Sequence, residues 1–369
     1  MLHNRYRAEG GEERAVHDVT TLLRERGHAV ELLERSSASV GRVAAASGLL
    51  RGGVSAYEVS DAVRQFGADV VHGHNLHPLF GWRALAAAQE AGARTVLHVH
   101  NFRLFCAIAV AYRDGAPCFR CRGRDTLPGL RLRCRGSVSE SAAYAAGLSL
   151  QQPRLFQYAD RFIVLSEGTG ARQIKLGLPA ERTHVLGNYV ASFAPESRAA
   201  EGSYALAVGR LVDYKGFEIA IAAARAVGVP LVIAGEGPDL DRLKRLAAGA
   251  DVRFPGWVDR DGLAALRARA AVLLAPSRCE EACPYVALDA MADGVPVLVS
   301  DRGGMVERVP AGSALPVDHL DDWTAALGEL WREPALRAAR GERALALARE
   351  LLTAERYYDG LMRAYGCEP

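Results

Sequence analysis

The chain has 369 residues, of which 50% are hydrophobic and 24% are charged, and its formal net charge is +2. This composition excludes an intrinsically disordered chain, supplies enough apolar residues for two domain cores, and excludes a chain-wide electrostatic attraction to nucleic acid. No apolar run reaches the roughly 18 residues of a membrane span and no signal core follows the first residue, so we predict a cytoplasmic protein.

Short apolar runs alternate with amphipathic stretches along the chain. Their apolarity is continuous, which suits strands of parallel sheets that are covered on both faces. The predicted strands include 70–71, 96–97, 162–165, 205–208, 231–233, 272–274 and 295–299. The opening run, Met1 to His3, is unusually short for a first strand. Alternation of strands and helices predicts α/β, doubly wound domains.

A segment without periodicity separates two halves of the chain. It runs from Tyr189 to Ser203 and carries Pro195 and Gly202. We therefore predict an N-terminal domain over 1–190, with a cysteine-bearing insertion at about 103–136, and a second domain over 191–350. The pattern within 351–369 predicts a C-terminal helix that packs back on the N-terminal domain.

A glycine pair, Gly10 and Gly11, precedes the first helical pattern. Glycines at a strand-to-helix turn allow a ligand to approach the backbone, and free N–H groups at a helix start bind anions. A simple turn is the alternative interpretation.

Cations and glycines follow strand ends in the second half. Gly209 and Arg210 come directly after a predicted strand, and Lys215 precedes the next helix. Two cations beside a helix start form a diphosphate site without a metal ion. Solvated surface charges are the alternative. Gly235 and Gly237 follow the next strand.

Two carboxylates follow another strand within 275–297. Glu281 lies on the predicted loop, and Asp289 lies on the helix that starts near Pro284. Free backbone N–H groups are expected around that helix start, in the segment of Cys283, Pro284 and Tyr285. These groups would bind hydroxyls at two ends of a sugar-containing ligand.

Together these motifs resemble glycosyltransferase family 4, whose members are retaining enzymes of the GT-B architecture. The resemblance lies in the spacing of Glu281 and Asp289, in the glycine and cation motifs above, and in Gly303-Gly304 with Glu307. It covers almost the whole chain and implies two Rossmann-like domains that face a central cleft. The family usually has glutamate where this chain has Asp289.

The resemblance implies a nucleotide-sugar site. Arg210 and Lys215 would neutralise a diphosphate, Glu281 would contact the sugar, and Asp289 would bind the ribose. The implied donor-binding residues are Gly10, Gly11, Gly209, Arg210, Lys215, Gly235, Gly237, Trp257, Val258, Glu281, Cys283, Pro284, Tyr285 and Asp289.

The implied reaction is metal-independent transfer of a sugar, with retention, from a nucleoside-diphosphate donor to a hydroxyl acceptor. We expect a UDP-sugar as donor and a lipid-linked glycan or polysaccharide precursor as acceptor. The expected catalytic residues are His100, Glu281, Arg210 and Lys215. A sugar-nucleotide epimerase or hydrolase, and a non-catalytic sugar-nucleotide-binding protein, are the alternatives.

Histidines follow two strands of the first half. His100 ends one predicted strand, and His72, His74 and His77 follow another. Spacing of this kind suggests zinc, but no carboxylate or cysteine completes the set and successive strand residues point to opposite faces. We therefore predict that this cluster lines the acceptor site and binds no metal.

Four cysteines fall within 29 residues: Cys106, Cys118, Cys121 and Cys134. The two-residue gap between Cys118 and Cys121 allows two thiolates to bind one tetrahedral ion, so we predict a structural zinc site, with free or disulfide-linked thiols as the alternative.

Arginines crowd the same insertion, between Arg103 and Arg135. They predict contact with an anionic acceptor or an anionic membrane, which would place the protein at the inner face of the membrane. A solvated basic face is the alternative.

Overall fold

We analysed a computed structural model, which describes residues 1–5 and 10–367. These residues form two compact units. The first comprises Met1–Ala111, Cys118–Gly187 and the segment from Tyr357 onward, and the second comprises Tyr112–Pro117 and Asn188–Arg356. The chain therefore passes from the first unit to the second near the predicted linker and returns to the first at its end.

The first unit is built on a six-stranded parallel sheet. Its strands are β1 (Leu2–Arg5), β2 (Leu33–Ser36), β3 (Val70–Gly73), β4 (Arg94–Val99), β7 (Arg161–Val164) and β8 (Thr183–Val185). Their spatial order is β2-β1-β3-β4-β7-β8. The helices are α1 (Gly11–Glu25), α2 (Arg42–Arg51), α3 (Ala56–Phe66), α4 (Gly81–Glu90), α5 (Leu127–Arg131), α6 (Val138–Tyr158), α7 (Glu167–Leu176) and the final helix, Ala354–Tyr365. The direction of the strand order reverses between β1 and β3.

The second unit is built on a second six-stranded parallel sheet. Its strands are β9 (Tyr204–Val208), β10 (Leu231–Ala234), β11 (Val252–Gly256), β12 (Ala270–Ala275), β13 (Val297–Ser300) and β14 (Ala314–Leu315). Its helices are α8 (Phe217–Val227), α9 (Leu240–Leu246), α10 (Arg260–Arg267), α11 (Tyr285–Ala292), α12 (Leu320–Arg332) and α13 (Pro334–Leu351), so the final helix is α14. The order β11-β10-β9-β12-β13-β14 is that of a dinucleotide-binding Rossmann sheet and reverses between β9 and β12.

A short hairpin from the cysteine-bearing insertion belongs to the second unit. Its strands are β5 (Tyr112–Arg113) and β6 (Ala116–Pro117), which pair antiparallel. The ring of Tyr112 lies edge-on to that of Tyr214, with the centroids 6.2 Å apart.

Continuous apolar strands fill both cores. Trp323 and Leu327 of α12 pack in the second unit with alternate residues of two strands, all nearly inaccessible to solvent: Ala205, Ala207, Leu231 and Ile233. Short α/β connections and apolar parallel strands covered by helices are what the sequence predicted, and each predicted run coincides with an observed strand. The doubly wound α/β class is therefore confirmed.

Edge strands are the elements that the sequence did not predict. Strands β2, β8 and β11 are only half-buried, so their residues are mixed rather than continuously apolar. None of the helices in the described part of the chain combines the length and apolar composition that a membrane crossing demands.

The C-terminal helix α14 packs within the first unit. The hydroxyl of Tyr365 lies 2.9 Å from Nδ1 of His72, and the Arg94 guanidinium donates a hydrogen bond to the Tyr365 carbonyl. The last two residues of the predicted segment 351–369 lie outside the described residues.

Candidate functional site

A lysine and a glutamate meet at the point where the second sheet reverses its order. Lys215 follows β9 and Glu281 follows β12, the two strands that flank the reversal. The Lys215 Nζ donates a hydrogen bond of 2.8 Å to the Glu281 Oε1, and the hydroxyl of Ser277 donates to the same oxygen. Open parallel sheets bind their ligands at this position, beyond the carboxyl ends of the strands.

Burial and charge act against each other at this pair. Burial alone would raise the pKa of the Glu281 carboxyl, but the Lys215 ammonium and hydrogen bonds from Lys215 and Ser277 bring that pKa below its ordinary value. Burial likewise lowers the pKa of Lys215, but the charge of Glu281 raises it above the ordinary value. Both groups are therefore charged at neutral pH and half-buried, at 21% and 18% side-chain exposure.

Close backbone contacts hold the two loops that carry these residues. Gly303 has φ of +75°, forms a parallel bridge with Glu281 and would place a Cβ against the Glu281 backbone. The next residue, Gly304, donates its N–H to the Glu281 carbonyl at 2.7 Å. The glycine motif at 303–304 thus positions the loop of Glu281, a role that the spacing in the sequence did not reveal.

The other residues predicted to bind the diphosphate lie on the loops that follow β9 and β10. Gly209 and the exposed Arg210 lie at the end of β9. Gly235, at the end of β10, has φ of +139° and faces the Gly209 backbone so closely that a Cβ would overlap it. Gly237 faces the backbone of Leu211 in the same way. The two glycine-bearing loops therefore pack backbone against backbone, which excludes larger residues.

The start of α11 carries the predicted backbone contacts. Pro284 precedes the helix, which begins at Tyr285. Cys283 is buried, and its carbonyl accepts a hydrogen bond of 2.8 Å from the Asn188 side chain. The Cys283 carbonyl is thus held in place directly before the helix start, and the Ala287 N–H of the first turn donates to the Pro284 carbonyl.

Asp289 lies further along α11, beside an arginine. Its Oδ2 is 3.8 Å from Nη1 of Arg267, whose Nε is 2.5 Å from the Asp293 carboxylate. Trp257 is 63% exposed on the loop after β11, next to the half-buried Val258. The predicted ribose residue is therefore already in an ionic environment, and the predicted base-pocket tryptophan presents an open ring.

In the first unit, the predicted glycine turn begins α1. Gly10 is the residue before the helix, and Gly11 is its first residue. The Gly10 N–H donates a hydrogen bond of 2.9 Å to the Glu13 carboxylate, so in this structure it already has a partner within the chain. The carboxylate of Glu12 accepts from the Asn101 amide at 3.3 Å, which links the start of α1 to the end of β4.

His100, the predicted catalytic histidine, follows β4 and is half-buried. Its Nε2 lies 2.9 Å from the Nδ1 of His74. Burial lowers the pKa of His100 well below its ordinary value, and the neighbouring His98 and His3 lower it further. The side chain is therefore a neutral imidazole at physiological pH, able to donate or accept one hydrogen bond at each nitrogen.

Further histidines stack beside His100. His72 and His74 have ring centroids 4.3 Å apart, and both lie about 5 Å from the ring of His98. Burial lowers the pKa of His72 to about 3 and of His98 to well below its ordinary value. The sequence predicted that His72 and His74 lie near the acceptor site, but it did not predict that His98 joins them.

The four cysteines of the insertion come near one another without closing into a ligand set. Burial raises the pKa of the Cys121 thiol to about 11, with contributions from Cys106, Cys134 and Cys118. Among the described residues, however, no three of the cysteine sulfur atoms lie within 4.8 Å of one another. None of these four cysteines forms a disulfide with another described residue, and zinc binding here stays a prediction.

Comparison with protein-family models identifies both halves of the chain. Residues 10–189 match the model described as "Glycosyl transferase 4-like domain", and residues 202–333 match the model "Glycosyl transferases group 1". The two matched ranges coincide closely with the two sheets described above.

Relatives of known name agree with these models. The chain is 30% identical over 312 residues to D-inositol 3-phosphate glycosyltransferase of Mycolicibacterium paratuberculosis, covering 76% of this chain and 68% of the relative. It is 35% identical over 151 residues to a GDP-mannose-dependent alpha-(1-6)-phosphatidylinositol dimannoside mannosyltransferase of Mycobacterium tuberculosis. That match covers 40% of this chain and spans only 39% of the mannosyltransferase.

Solved structures agree on the fold. The crystal structure of Anabaena Alr3699/HepE in complex with UDP superposes with a TM-score of 0.67 at 17% identity, covering 99% of this chain and 98% of that one. Sucrose-phosphate synthase from Thermosynechococcus elongatus superposes with a TM-score of 0.73 at 18% identity, covering 98% and 94%. The chain therefore has the GT-B fold and belongs to glycosyltransferase family 4.

Proposed function

We propose that this protein is a retaining glycosyltransferase that takes a sugar from a nucleoside-diphosphate donor and transfers it to a hydroxyl acceptor. The observation that carries the proposal is the Lys215–Glu281 pair at the carboxyl edge of a Rossmann sheet, beside a helix start. A cation and a carboxylate side by side match a diphosphate and a sugar hydroxyl, respectively. Family membership supports the same chemistry.

The second unit would activate the leaving group. When a donor binds, the Lys215 ammonium and the exposed guanidinium of Arg210 would contact the diphosphate, while Glu281 would accept hydrogen bonds from the sugar. Negative charge develops on the diphosphate as its bond to the sugar breaks, and fixed cations stabilise that charge more than they stabilise the intact donor. This arrangement supplies cationic charge from side chains, so we propose metal-independent transfer.

The first unit would present the acceptor, with His100 as its positioning residue. A neutral imidazole whose Nε2 faces His74 keeps a defined ring orientation, which suits a hydrogen bond to a hydroxyl group. We propose that the acceptor hydroxyl attacks the sugar on the face that the diphosphate leaves, and that the departing phosphate takes its proton. Retention of configuration follows from attack on that face.

Relatives and solved structures point to different nucleotide bases in the donor. Mannosyltransferase relatives at 33–35% identity are named for GDP-mannose, whereas the structure of Alr3699/HepE contains UDP. We therefore propose a site that recognises chiefly the diphosphate of the donor. Calorimetric titration with UDP, GDP and ADP measures which base it prefers. Tight binding of one nucleotide, lost in an Arg210→Ala/Lys215→Ala double variant, is the expected result. Equal binding by the double variant contradicts the assignment of the site.

We propose an anionic, phosphate-bearing acceptor. Relatives are named for D-inositol 3-phosphate and for phosphatidylinositol mannosides, and this chain carries arginines throughout the insertion between Arg103 and Arg135. Peripheral contact with the anionic face of a membrane follows from the same charges. Co-sedimentation with anionic and neutral liposomes tests this: selective binding to the anionic vesicles is expected, and equal weak binding to both contradicts it.

We also propose that Cys106, Cys118, Cys121 and Cys134 bind a structural zinc ion. Their mutual electrostatic influence shows that they share one neighbourhood, and modest loop movement would be needed to bring the sulfur atoms together. The expected result is that the purified chain holds one zinc equivalent more than a Cys118→Ser/Cys121→Ser variant. Equal zinc content in both proteins contradicts the proposal.

A further inference from the structure

Several histidines of the first unit form a cluster at the carboxyl ends of β3 and β4, next to the point where its sheet reverses order. Strand β3 lies between β1 and β4, with Gly73 opposite both Leu2 and Leu97. His72 and His74 are two residues apart and therefore share one face of the sheet, and His98 follows Leu97 beside them. The parallel register thus brings three imidazoles from two strands to one place.

Each of these three side chains is almost completely buried, with 1–3% exposure. In the part of the chain that the structure describes, nothing hydrogen-bonds to Nε2 of His72, to Nε2 of His74, or to either ring nitrogen of His98. Buried polar atoms in folded proteins nearly always have a partner, so several unpaired nitrogens in one cluster indicate a missing ligand.

The remaining nitrogens of two of these rings are already held. His72 Nδ1 is 2.9 Å from the Tyr365 hydroxyl, and His74 Nδ1 is 2.9 Å from His100 Nε2. A proton on each Nδ1, donated to these partners, leaves the Nε2 lone pair available. Metal-binding histidines characteristically donate their other N–H to such an outer partner, which fixes both the tautomer and the ring orientation.

We propose that His72, His74 and His98 form a binding site for a divalent transition-metal ion, zinc in particular. Three neutral imidazoles are a donor set that suits zinc, which is tetrahedral and accepts water as its fourth ligand. One nitrogen from each ring lies within 4.8 Å of the others. Zn–N bonds of about 2.1 Å require nitrogens roughly 3.4 Å apart, so binding draws the stacked rings together and tilts them toward a common point.

A small cavity adjoins the proposed site on the side of His74 and His98. Its volume is about 30 Å³, and it is lined by these two side chains and by His100, Glu12 and Asn101. This space accommodates a single ordered water molecule. The site would clamp β3 to β4 and would fix His74, and through it His100, independently of the chemistry proposed for the second unit.

The test uses the full chain, stripped with a chelator and titrated with CoCl₂, because Co²⁺ replaces zinc and its absorption spectrum reports the ligand type. In the Cys118→Ser/Cys121→Ser background we expect one equivalent to bind with the visible spectrum of nitrogen and oxygen ligands alone. In the wild-type chain the same bands are expected, together with thiolate bands from any ion that the insertion binds.

Two variants separate a metal site from a packing role. Tyr365→Phe removes only the hydroxyl beside His72, and we expect it to weaken Co²⁺ binding about 10–100-fold. His98→Leu is expected to abolish binding, whereas His77→Leu, a matched change at a buried histidine outside the triad, leaves it intact. Zinc should raise the Tm of the wild-type chain and of His77→Leu but not that of His98→Leu.

Three results would overturn the proposal. They are a folded wild-type chain that binds Co²⁺ through thiolates alone or not at all, His98→Leu binding as well as the wild type, and an unchanged affinity in Tyr365→Phe. If His98→Leu does not fold, Tyr365→Phe decides, because it retains all three rings.

Discussion

The two units place opposite chemistry at the same position of the same kind of sheet. In the second unit, the strands that flank the order reversal carry Lys215 and Glu281, which are charged, hydrogen-bonded and half-buried. In the first unit, β3, which flanks the reversal, and its neighbour β4 carry histidines such as His72 and His98 that are neutral, buried and partly unpaired. The difference shows that the carboxyl edge of a parallel sheet provides a location, while side chains decide whether it suits an anion or an uncharged group.

The largest expected difference between the units is their response to acid. Burial lowers the pKa of six histidines of the first unit below the ordinary value of 6.5: His72, His74, His77, His98, His100 and His184. As the pH falls below 6.5, the unfolded chain binds protons there and the native chain does not. The unfolding free energy of the first unit therefore falls by about 1.4 kcal/mol per pH unit for each histidine.

The second unit should lose stability at a lower pH than the first unit. The pKa of Glu281 lies below its ordinary value of 4.5, so this pair loses stability only as the pH falls below that range. Hydrogen exchange between pH 7 and pH 4, with a chelator present, should show the first unit opening before the second. His98→Leu should reduce the pH dependence, whereas the exposed His17→Leu should not. Opening of both units at the same pH would contradict the predicted difference in their response to acid.

The next effect concerns the charged pair. Lys215→Ala removes the buried cation and leaves Glu281 without its partner, so we expect kcat/KM to fall about 10³-fold, or about 4 kcal/mol. Lys244→Ala, which changes an exposed lysine on α9, is the matched control. Steady-state transfer assays check the effect, and thermal unfolding shows whether the variant is folded. Near-normal turnover in folded Lys215→Ala refutes the diphosphate assignment.

A smaller effect is expected at His100. His100→Ala removes the imidazole proposed to position the acceptor and takes away the partner of His74 Nδ1, so we expect kcat/KM for the acceptor to fall about 10–100-fold. Donor nucleotide affinity, measured by calorimetry, should stay unchanged because the proposed nucleotide site lies in the second unit. A loss of nucleotide affinity equal to the loss of turnover would show that His100 has no separate role.

The smallest effect is expected at Asp289. Asp289→Ala should weaken nucleotide binding about tenfold through lost hydrogen bonds to the ribose, with little change in kcat. Asp293→Ala is a matched control because both carboxylates face Arg267. Equal losses in the two variants would assign the effect to Arg267 rather than to the ribose.

Much of the fold was predictable from the chain alone. Buried parallel strands are continuously apolar, so residues 205–208 and 231–233 can be recognised as strands from the sequence alone. Edge strands such as β2 and β11 are half-buried, so their mixed composition carries no comparable signal. The spacing of Glu281 and Asp289 was also visible, because both belong to one loop and helix.

By itself, the sequence determined the class of fold, the two halves and the family, since these depend on local hydrophobic patterns and on motifs within short segments. Only the tertiary structure decided that Lys215 pairs with Glu281 across 66 residues and that His98 joins His72 and His74. The order in which strands align, and their register, determine such contacts. Both result from packing of the whole sheet, which no single segment of the sequence encodes.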